Sequence, residues 1–202
     1  MRLVVYDRTC VATRGHLTPV WAAGAWLFRR LGRIDAVHGV ASWAEALGWL
    51  ATREEPIDEI QYWGHGKWGA AFVGEDVLDA SALHDRRHDR RRDLEAVRER
   101  LAPGALLWFR TCETFGAARG IDFAERLADF FGARVAGHTY IIGFHQSGLH
   151  GLAPGARADW SAGEGLAEGS PEAPARARWS RPWHPRTLTA LHGAVPAAWI
   201  TR

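Results

Sequence analysis

The chain has 202 residues and a mass of 22.4 kDa, which is enough for one domain with a sizeable buried core. Hydrophobic residues make up 47% and charged residues 24%, proportions that exclude a wholly disordered, collagen-like or coiled-coil protein. The formal net charge is +2, and the only two cysteines, Cys10 and Cys112, are too few for a disulfide scaffold or a four-cysteine zinc site.

Apolar runs, helical periodicity and capping residues predict strands and helices that alternate along the chain. Thr18 is expected to cap the first helix, and Ser42, with Glu45 three positions later, to cap the second. The dipeptide Pro103-Gly104 is expected to separate the last helix of a charged stretch from a buried strand. In chain order, the predicted elements are a strand at 3–6, a helix at 19–31, a strand at 34–40, a helix at 42–52, a strand at 57–63, a small strand or hairpin arm at 68–73, a helix in the second half of 84–100, a strand at 105–111, a helix at 120–131 and a strand at 133–142.

This alternation predicts an α/β fold with a mostly parallel central sheet covered on both faces. The periodicity fails after residue 143, where Gly, Pro, Ala and Trp dominate. We therefore expect an α/β domain over residues 1–145 and an irregular C-terminal extension over 146–202 that packs on the core.

Two short segments at predicted strand ends carry the chemistry. Gly64-His65-Gly66 follows the third strand and Thr111-Cys112-Glu113 follows the fourth. Ligands bind beyond the carboxyl ends of parallel strands, and adjacent strands would bring His65 and Cys112 to the same rim. A cysteine–histidine pair needs an imidazole nitrogen within about 3–4 Å of the sulfur.

Each of these residues also has a plainer explanation. A histidine between glycines is often a turn residue, and a cysteine at a strand end is often a small buried hydrophobe. The combination, in this order and 47 residues apart, favours a catalytic pair. Gly66 would permit a positive φ or the close approach of a substrate carbonyl, and the N–H groups of Gly66 and Cys112 are candidates for an oxyanion hole.

The segment IQYWGHGKWG resembles the histidine motif of the caspase-like cysteine peptidases of clan CD. The segment LLWFRTCETFG resembles the cysteine motif of their CHAT and separase-like branch, although Phe115 stands where the CHAT pattern has a glycine. The resemblance covers about residues 1–145 and extends to small uncharacterised bacterial domains with the same layout. It implies a caspase-like three-layer sandwich, with His65 as the general base and Cys112 as the nucleophile.

Further expectations follow for the residues around this pair. Asp7 or Arg8, just past the first strand, would bind a basic or an acidic substrate side chain, and Arg110 and Glu113 flank the nucleophile as further substrate-binding candidates. All four residues have the alternative of being surface or salt-bridged. A neighbouring imidazolium predicts a lowered pKa for the Cys112 thiol, whereas Cys10 is expected to be an ordinary thiol.

No cofactor and no metal ion is expected. His84 and His88 have the spacing of two ligands on one helix face, but a solvated charged loop explains them better. The arginine run at 86–92 lies among aspartates, and the whole chain is close to neutral, so we expect no nucleic-acid partner. The absence of a long apolar run and of a signal-peptide-like N-terminus predicts a cytoplasmic protein with no membrane partner.

The resulting prediction is a cysteine endopeptidase acting on a peptide or protein through a thioester intermediate. An inactive caspase-like domain that binds a peptide or protein partner is the main alternative, with Trp63 or Trp68 as exposed contacts. An acyltransferase or another hydrolase using the same two residues is a third possibility.

Overall fold

The computed structural model describes residues 1–11, 16–85 and 87–202. These residues form five α-helices, a central seven-stranded sheet and three smaller sheets. The helices are α1 (Thr18–Arg30), α2 (Trp43–Ala51), α3 (Ala80–His84), α4 (Arg91–Arg98) and α5 (Ala117–Phe131), and a 3-10 helix covers Ala197–Trp199. The strands are β1 (Arg2–Asp7), β2 (Ala36–Val40), β3 (Ile57–Trp63), β4 (His65–Lys67), β5 (Ala70–Val73), β6 (Asp76–Asp79), β7 (Leu101–Arg110), β8 (Arg134–His138), β9 (His145–Gln146), β10 (Leu149–Leu152), β11 (Leu166–Gly169), β12 (Pro174–Ala177), β13 (Leu188–Thr189) and β14 (Ile200–Thr201).

The central sheet has seven strands in the order β14-β10-β8-β7-β3-β1-β2. The five strands from β8 to β2 are parallel to their neighbours, whereas β10 runs antiparallel to β8. The predicted α/β class with a mostly parallel sheet is confirmed. The predicted adjacency of the third and fourth buried strands is confirmed as well, because β3 pairs with β7.

Alternating side chains of the buried strands divide the core between the two faces of the sheet. On one face, Leu3, Leu107 and Phe109 pack with apolar residues of α2, α4 and α5. On the other face, Val4 packs with Phe28 of α1, and a second cluster around the central strands packs with residues near the C-terminus. The sheet is therefore the middle of three layers, and the C-terminal residues help to form the third.

Of the two helix caps predicted from the sequence, that of α2 is confirmed and that of α1 is wrong. The Ser42 hydroxyl accepts a hydrogen bond from the Glu45 N–H at 3.1 Å, which confirms the predicted cap of α2. Gly132 ends α5 in the left-handed region, with φ of 58°. Thr18 is not the cap of α1: Leu17 holds that position, and the Thr18 hydroxyl instead donates to the Asp7 carbonyl at 2.9 Å.

Two predicted boundaries differ from the structure. Pro103-Gly104 lies within β7 rather than before it. At this point the pairing of β7 with β3 is irregular, because the register shifts between the pairs Ile57–Leu101 and Glu59–Leu106. An irregularity of this kind tolerates a proline in a strand. The last predicted strand at 133–142 ends at His138, where the chain turns to form β9 and β10.

The segment after residue 145 is more regular than the expected irregular extension over 146–202. It supplies β10 and β14 to the central sheet, and it contains the antiparallel pair β11–β12. Strand β14 pairs with β10 over only two residues. A strand this short has no alternation of apolar and polar side chains that a sequence could reveal. Among the described residues, no helix is long and apolar enough to cross a membrane.

Candidate active site

His65 and Cys112 lie at the same rim of the sheet because their strands are paired in register. Trp63 of β3 is the partner of Arg110 of β7, and the histidine and the cysteine each follow two residues later. Both residues line one pocket with a volume of about 240 Å³. The structure thus brings together the two residues that the sequence singled out, at the carboxyl ends of neighbouring parallel strands.

Gly66 allows the hairpin that carries His65 to lie against the cysteine loop. A Cβ atom at position 66 would stand 2.0 Å from the Thr114 hydroxyl oxygen and 2.8 Å from Thr111 Cβ. Its φ is not positive, so the left-handed conformation that a glycine would permit here is not adopted. The glycine is required for close approach, here of protein side chains in the loop that holds Cys112.

The backbone conformation of Glu113 and hydrogen bonds to backbone carbonyls fix the turn after Cys112. Glu113 has a positive φ of 31°, which is unusual for a residue with a side chain, and its N–H donates to the Tyr140 carbonyl at 3.0 Å. The Thr114 hydroxyl donates to the Cys112 carbonyl at 3.1 Å, and the Trp68 N–H donates to the Glu113 carbonyl at 3.0 Å. These bonds hold the cysteine at the pocket wall.

The Cys112 thiol is half-buried, and its pKa is raised rather than lowered. Burial raises the pKa to about 11, because desolvation disfavours the thiolate, and the Glu113 charge raises it further. Among the described residues, the sulfur has one long hydrogen-bonding partner, the Ile142 carbonyl oxygen at 3.9 Å. The predicted lowering of this pKa is therefore wrong, and the thiol is protonated at neutral pH.

The imidazole of His65 contacts a residue that the sequence analysis did not assign to the site. Its Nε2 lies 3.3 Å from the sulfur of Cys10, and its ring meets the ring of Trp21 edge-on, with centroids 5.4 Å apart. Cys10 is buried and follows β1, the neighbour of β3. Its place three residues beyond the end of β1 was the available signal, since that strand end lies at the same rim.

Arg110 lines the pocket, but its guanidinium is occupied by neutral acceptors. It donates to Gln146 Oε1 at 2.9 and 3.2 Å, to the carbonyls of Ala190 at 2.9 Å and His192 at 3.1 Å, and more weakly to Gln61 Oε1 at 3.4 Å. The group also lies over the Trp108 ring, 4.4 Å from its centroid. Burial lowers the pKa of Arg110 to about 9. The residue fastens the C-terminal segment to the rim.

Asp7 and Arg8 are engaged away from the pocket. The buried Asp7 carboxylate accepts hydrogen bonds from the Thr9 N–H at 2.7 Å, the Thr9 hydroxyl at 2.6 Å and the Gly74 N–H at 3.1 Å. The exposed Arg8 guanidinium pairs with Glu45 at 2.9 Å. Neither is among the described residues that line the pocket, so nothing in their placement supports a substrate-binding role.

Glu113 is buried below the turn and does not line the pocket. Within the described part of the chain, its Oε2 has no hydrogen-bond partner. Burial raises the pKa of this carboxyl to about 7, and the nearby Lys67 charge opposes that rise. The side chain is therefore largely protonated below neutral pH and fits a structural role better than direct contact with a charged substrate.

This carboxyl makes stability pH-dependent. Its pKa is higher in the folded protein than its ordinary value of 4.5, so its contribution is fully present below pH 4.5 and is lost as pH rises towards 7. We expect Glu113→Gln to remove this loss, which amounts to on the order of 3 kcal/mol. Urea unfolding of the variant and of the wild-type chain at pH 5 and pH 7.5 measures how much free energy of unfolding each protein loses between the two pH values. An equal change in free energy for both proteins between the two pH values would contradict the assignment.

Metal-binding geometry is not found among the described residues, where no group of three or more His, Cys, Asp or Glu side chains could hold an ion. His84 ends α3, and its Nδ1 bonds the Ala80 carbonyl at 3.0 Å. The arginine run of 86–92 includes Arg86, which lies outside the described residues. The rest of that run leads into α4.

Fold and site together define a mixed α/β protein with a pocket at the carboxyl ends of its central parallel strands, flanked by a histidine and a cysteine. The chain belongs to the family DUF4347, described as a domain of unknown function, which matches residues 35–152. The match runs from the start of β2 to the end of β10 and includes both His65 and Cys112. No curated protein and no solved structure matched the chain.

Proposed function

We propose that this protein is a cysteine endopeptidase with a caspase-like fold, in which Cys112 is the nucleophile and His65 the general base. The observation that carries the proposal is the in-register placement of the two residues at one pocket, each two positions beyond the paired residues Trp63 and Arg110. Covalent acyl transfer needs a nucleophile and a general base at the same cleft, close enough to pass a proton between them.

The reaction begins with a neutral thiol, since the raised pKa of Cys112 disfavours a preformed thiolate. His65 accepts the thiol proton as the sulfur attacks the carbonyl carbon of the scissile peptide bond. The N–H groups of Gly66 and Cys112 are the proposed donors to the resulting oxyanion. The C–N bond then breaks, the amine leaves with the proton from His65, and the acyl group remains on Cys112 as a thioester.

Hydrolysis of the thioester returns the enzyme to its starting state. His65 accepts a proton from a water molecule, the hydroxide equivalent attacks the thioester carbonyl, and the C–S bond breaks. The sulfur leaves as a thiolate and regains its proton from His65, while the product departs as a carboxylic acid. In this scheme the Cys10 sulfur, which lies 3.3 Å from His65 Nε2, takes no part in the bond changes.

A peptide-binding domain without catalytic activity is the second candidate. The raised pKa of the Cys112 thiol and the contact of His65 Nε2 with the Cys10 sulfur favour it. Trp63, expected as an exposed contact for a partner, is buried at the pocket wall, and Trp68 is half-buried. A binding function would therefore use the pocket, not a tryptophan surface.

A peptide with a C-terminal acyloxymethyl ketone distinguishes the two candidates. The peptidase proposal expects covalent labelling of Cys112 at pH 7.5, located by mass spectrometry of digested protein, and loss of labelling in His65→Ala. A Cys10→Ser variant is the matched control and should still be labelled at Cys112. Labelling that His65→Ala leaves unchanged, or that occurs at Cys10, would contradict the assignment.

A further inference from the structure

Resting on the proposed peptidase function, we infer that the pocket beside Cys112 is a specificity pocket for a large apolar side chain, phenylalanine or leucine, on the acyl side of the scissile bond. The sequence had suggested a basic or an acidic side chain, through Asp7 or Arg8. Neither of those residues is among the described lining residues.

The pocket wall is apolar. Helix α1 contributes Val20, Trp21 and Phe28, strand β3 contributes Trp63, and the C-terminal segment contributes Leu191. Trp63 and Phe28 meet edge-on, with ring centroids 5.4 Å apart. Aromatic walls of this kind favour offset or edge contacts with a further ring.

The volume fits one large side chain. A dry cavity of about 150 Å³ lined by apolar residues is enough to bind benzene. The pocket here has about 240 Å³. It therefore admits a phenyl ring or a leucine side chain with room for the connecting backbone.

The charge and the hydrogen bonds of Arg110 at the pocket disfavour a basic and an acidic substrate side chain alike. No Asp or Glu is among the described lining residues, so a lysine or arginine side chain would find no partner there and would meet the charge of Arg110. An acidic side chain would find no free donor on Arg110, since all five N–H groups point to Gln146, Gln61 and the carbonyls of Ala190 and His192.

The apolar surface continues from the pocket to solvent. Val20 is 63% exposed and Leu191 is 53% exposed, although both also line the pocket. Apolar side chains that line a pocket and also reach solvent offer a bound side chain further apolar surface to contact. A peptide whose side chain enters the pocket would bury part of this surface.

The test compares four acyloxymethyl ketone peptides that differ only in the residue next to the electrophile: Phe, Leu, Arg or Asp. We expect Phe and Leu probes to label Cys112 about 30-fold faster than Arg or Asp probes, as burial of one large apolar side chain allows. Val20→Asp should slow the Phe probe about tenfold and accelerate the Arg probe. Ala23→Asp, at an exposed position of the same helix outside the lining, should change neither rate.

A binding measurement separates this inference from the peptidase proposal. Ligand-observed NMR on Cys112→Ala, with N-acetyl-phenylalanine amide and N-acetyl-arginine amide, reports occupancy without catalysis. If no probe labels Cys112 but the Phe amide binds and Val20→Asp weakens it, the peptidase proposal falls and the apolar pocket stands. Faster labelling by the Arg or Asp probe overturns the apolar pocket alone. Absence of both labelling and Phe-amide binding overturns both.

Discussion

Cys112→Ala is expected to lower peptide-bond hydrolysis to the uncatalysed background, and His65→Ala to lower kcat/KM by about 10²–10⁴. The cysteine supplies the atom that forms the thioester, so no other group at the pocket replaces it. The histidine moves a proton in both halves of the reaction, and its effect is enlarged by the high thiol pKa of about 11. Cleavage of a fluorogenic peptide with phenylalanine before the scissile bond measures both losses.

Cys10→Ser provides the control for this experiment. The serine keeps a hydroxyl near His65 Nε2, where the sulfur now lies at 3.3 Å, so the variant should fold and retain most of the activity. Equal activity in the wild type and Cys112→Ala would refute the assigned nucleophile. Complete loss in Cys10→Ser with activity kept in Cys112→Ala would transfer that role to Cys10.

Phe115→Ala is expected to lower the free energy of unfolding by about 3–5 kcal/mol, the usual cost of removing a buried phenylalanine side chain. Phe115 is fully buried and stacks on Trp160, with ring centroids 6.1 Å apart and planes 7° from parallel. The Trp160 indole N–H also donates to the Phe115 carbonyl at 3.1 Å. The substitution leaves a cavity between the cysteine loop and the C-terminal segment. Urea unfolding followed by circular dichroism measures the change.

Phe144→Ala is the matched control, because this ring is 60% exposed. It should change the free energy of unfolding by less than about 0.5 kcal/mol. In Phe115→Ala, by contrast, the lower free energy of unfolding corresponds, for a chain of this length, to a fall in melting temperature of roughly 10 °C. A loss below about 1 kcal/mol in Phe115→Ala would show that the contact with Trp160 does not hold the segment in place.

The rim of the sheet was predictable because it depends on local signals. The segment of residues 57–63 and the apolar run of 105–111 were each predicted as a strand, and the residue pattern changes directly after each. Sequential strands of a parallel sheet leave their carboxyl ends at one edge. The shared edge of His65 and Cys112 therefore followed from strand positions alone, with β3 and β7 as neighbours.

The electrostatics at this rim could not be predicted in the same way. The sequence suggested that an imidazolium would lower the pKa of the Cys112 thiol, but the desolvation that raises it depends on how closely surrounding atoms pack. Asp7 likewise looked free to bind substrate, whereas its carboxylate is taken up by Thr9 and by Gly74, which lies 67 residues away. Hydrogen bonds over such separations have no sequence signature.

The α/β class, the buried strands and the edge of the sheet that His65 and Cys112 share were predictable from the sequence, because periodicity and strand ends are local properties. The surroundings of these two residues became visible only in the folded chain: Cys10 lies against the imidazole, Arg110 is held by the C-terminal carbonyls, and the apolar pocket wall is built from α1, β3 and residues near 190. These contacts join segments far apart in the chain, and their geometry is fixed by packing.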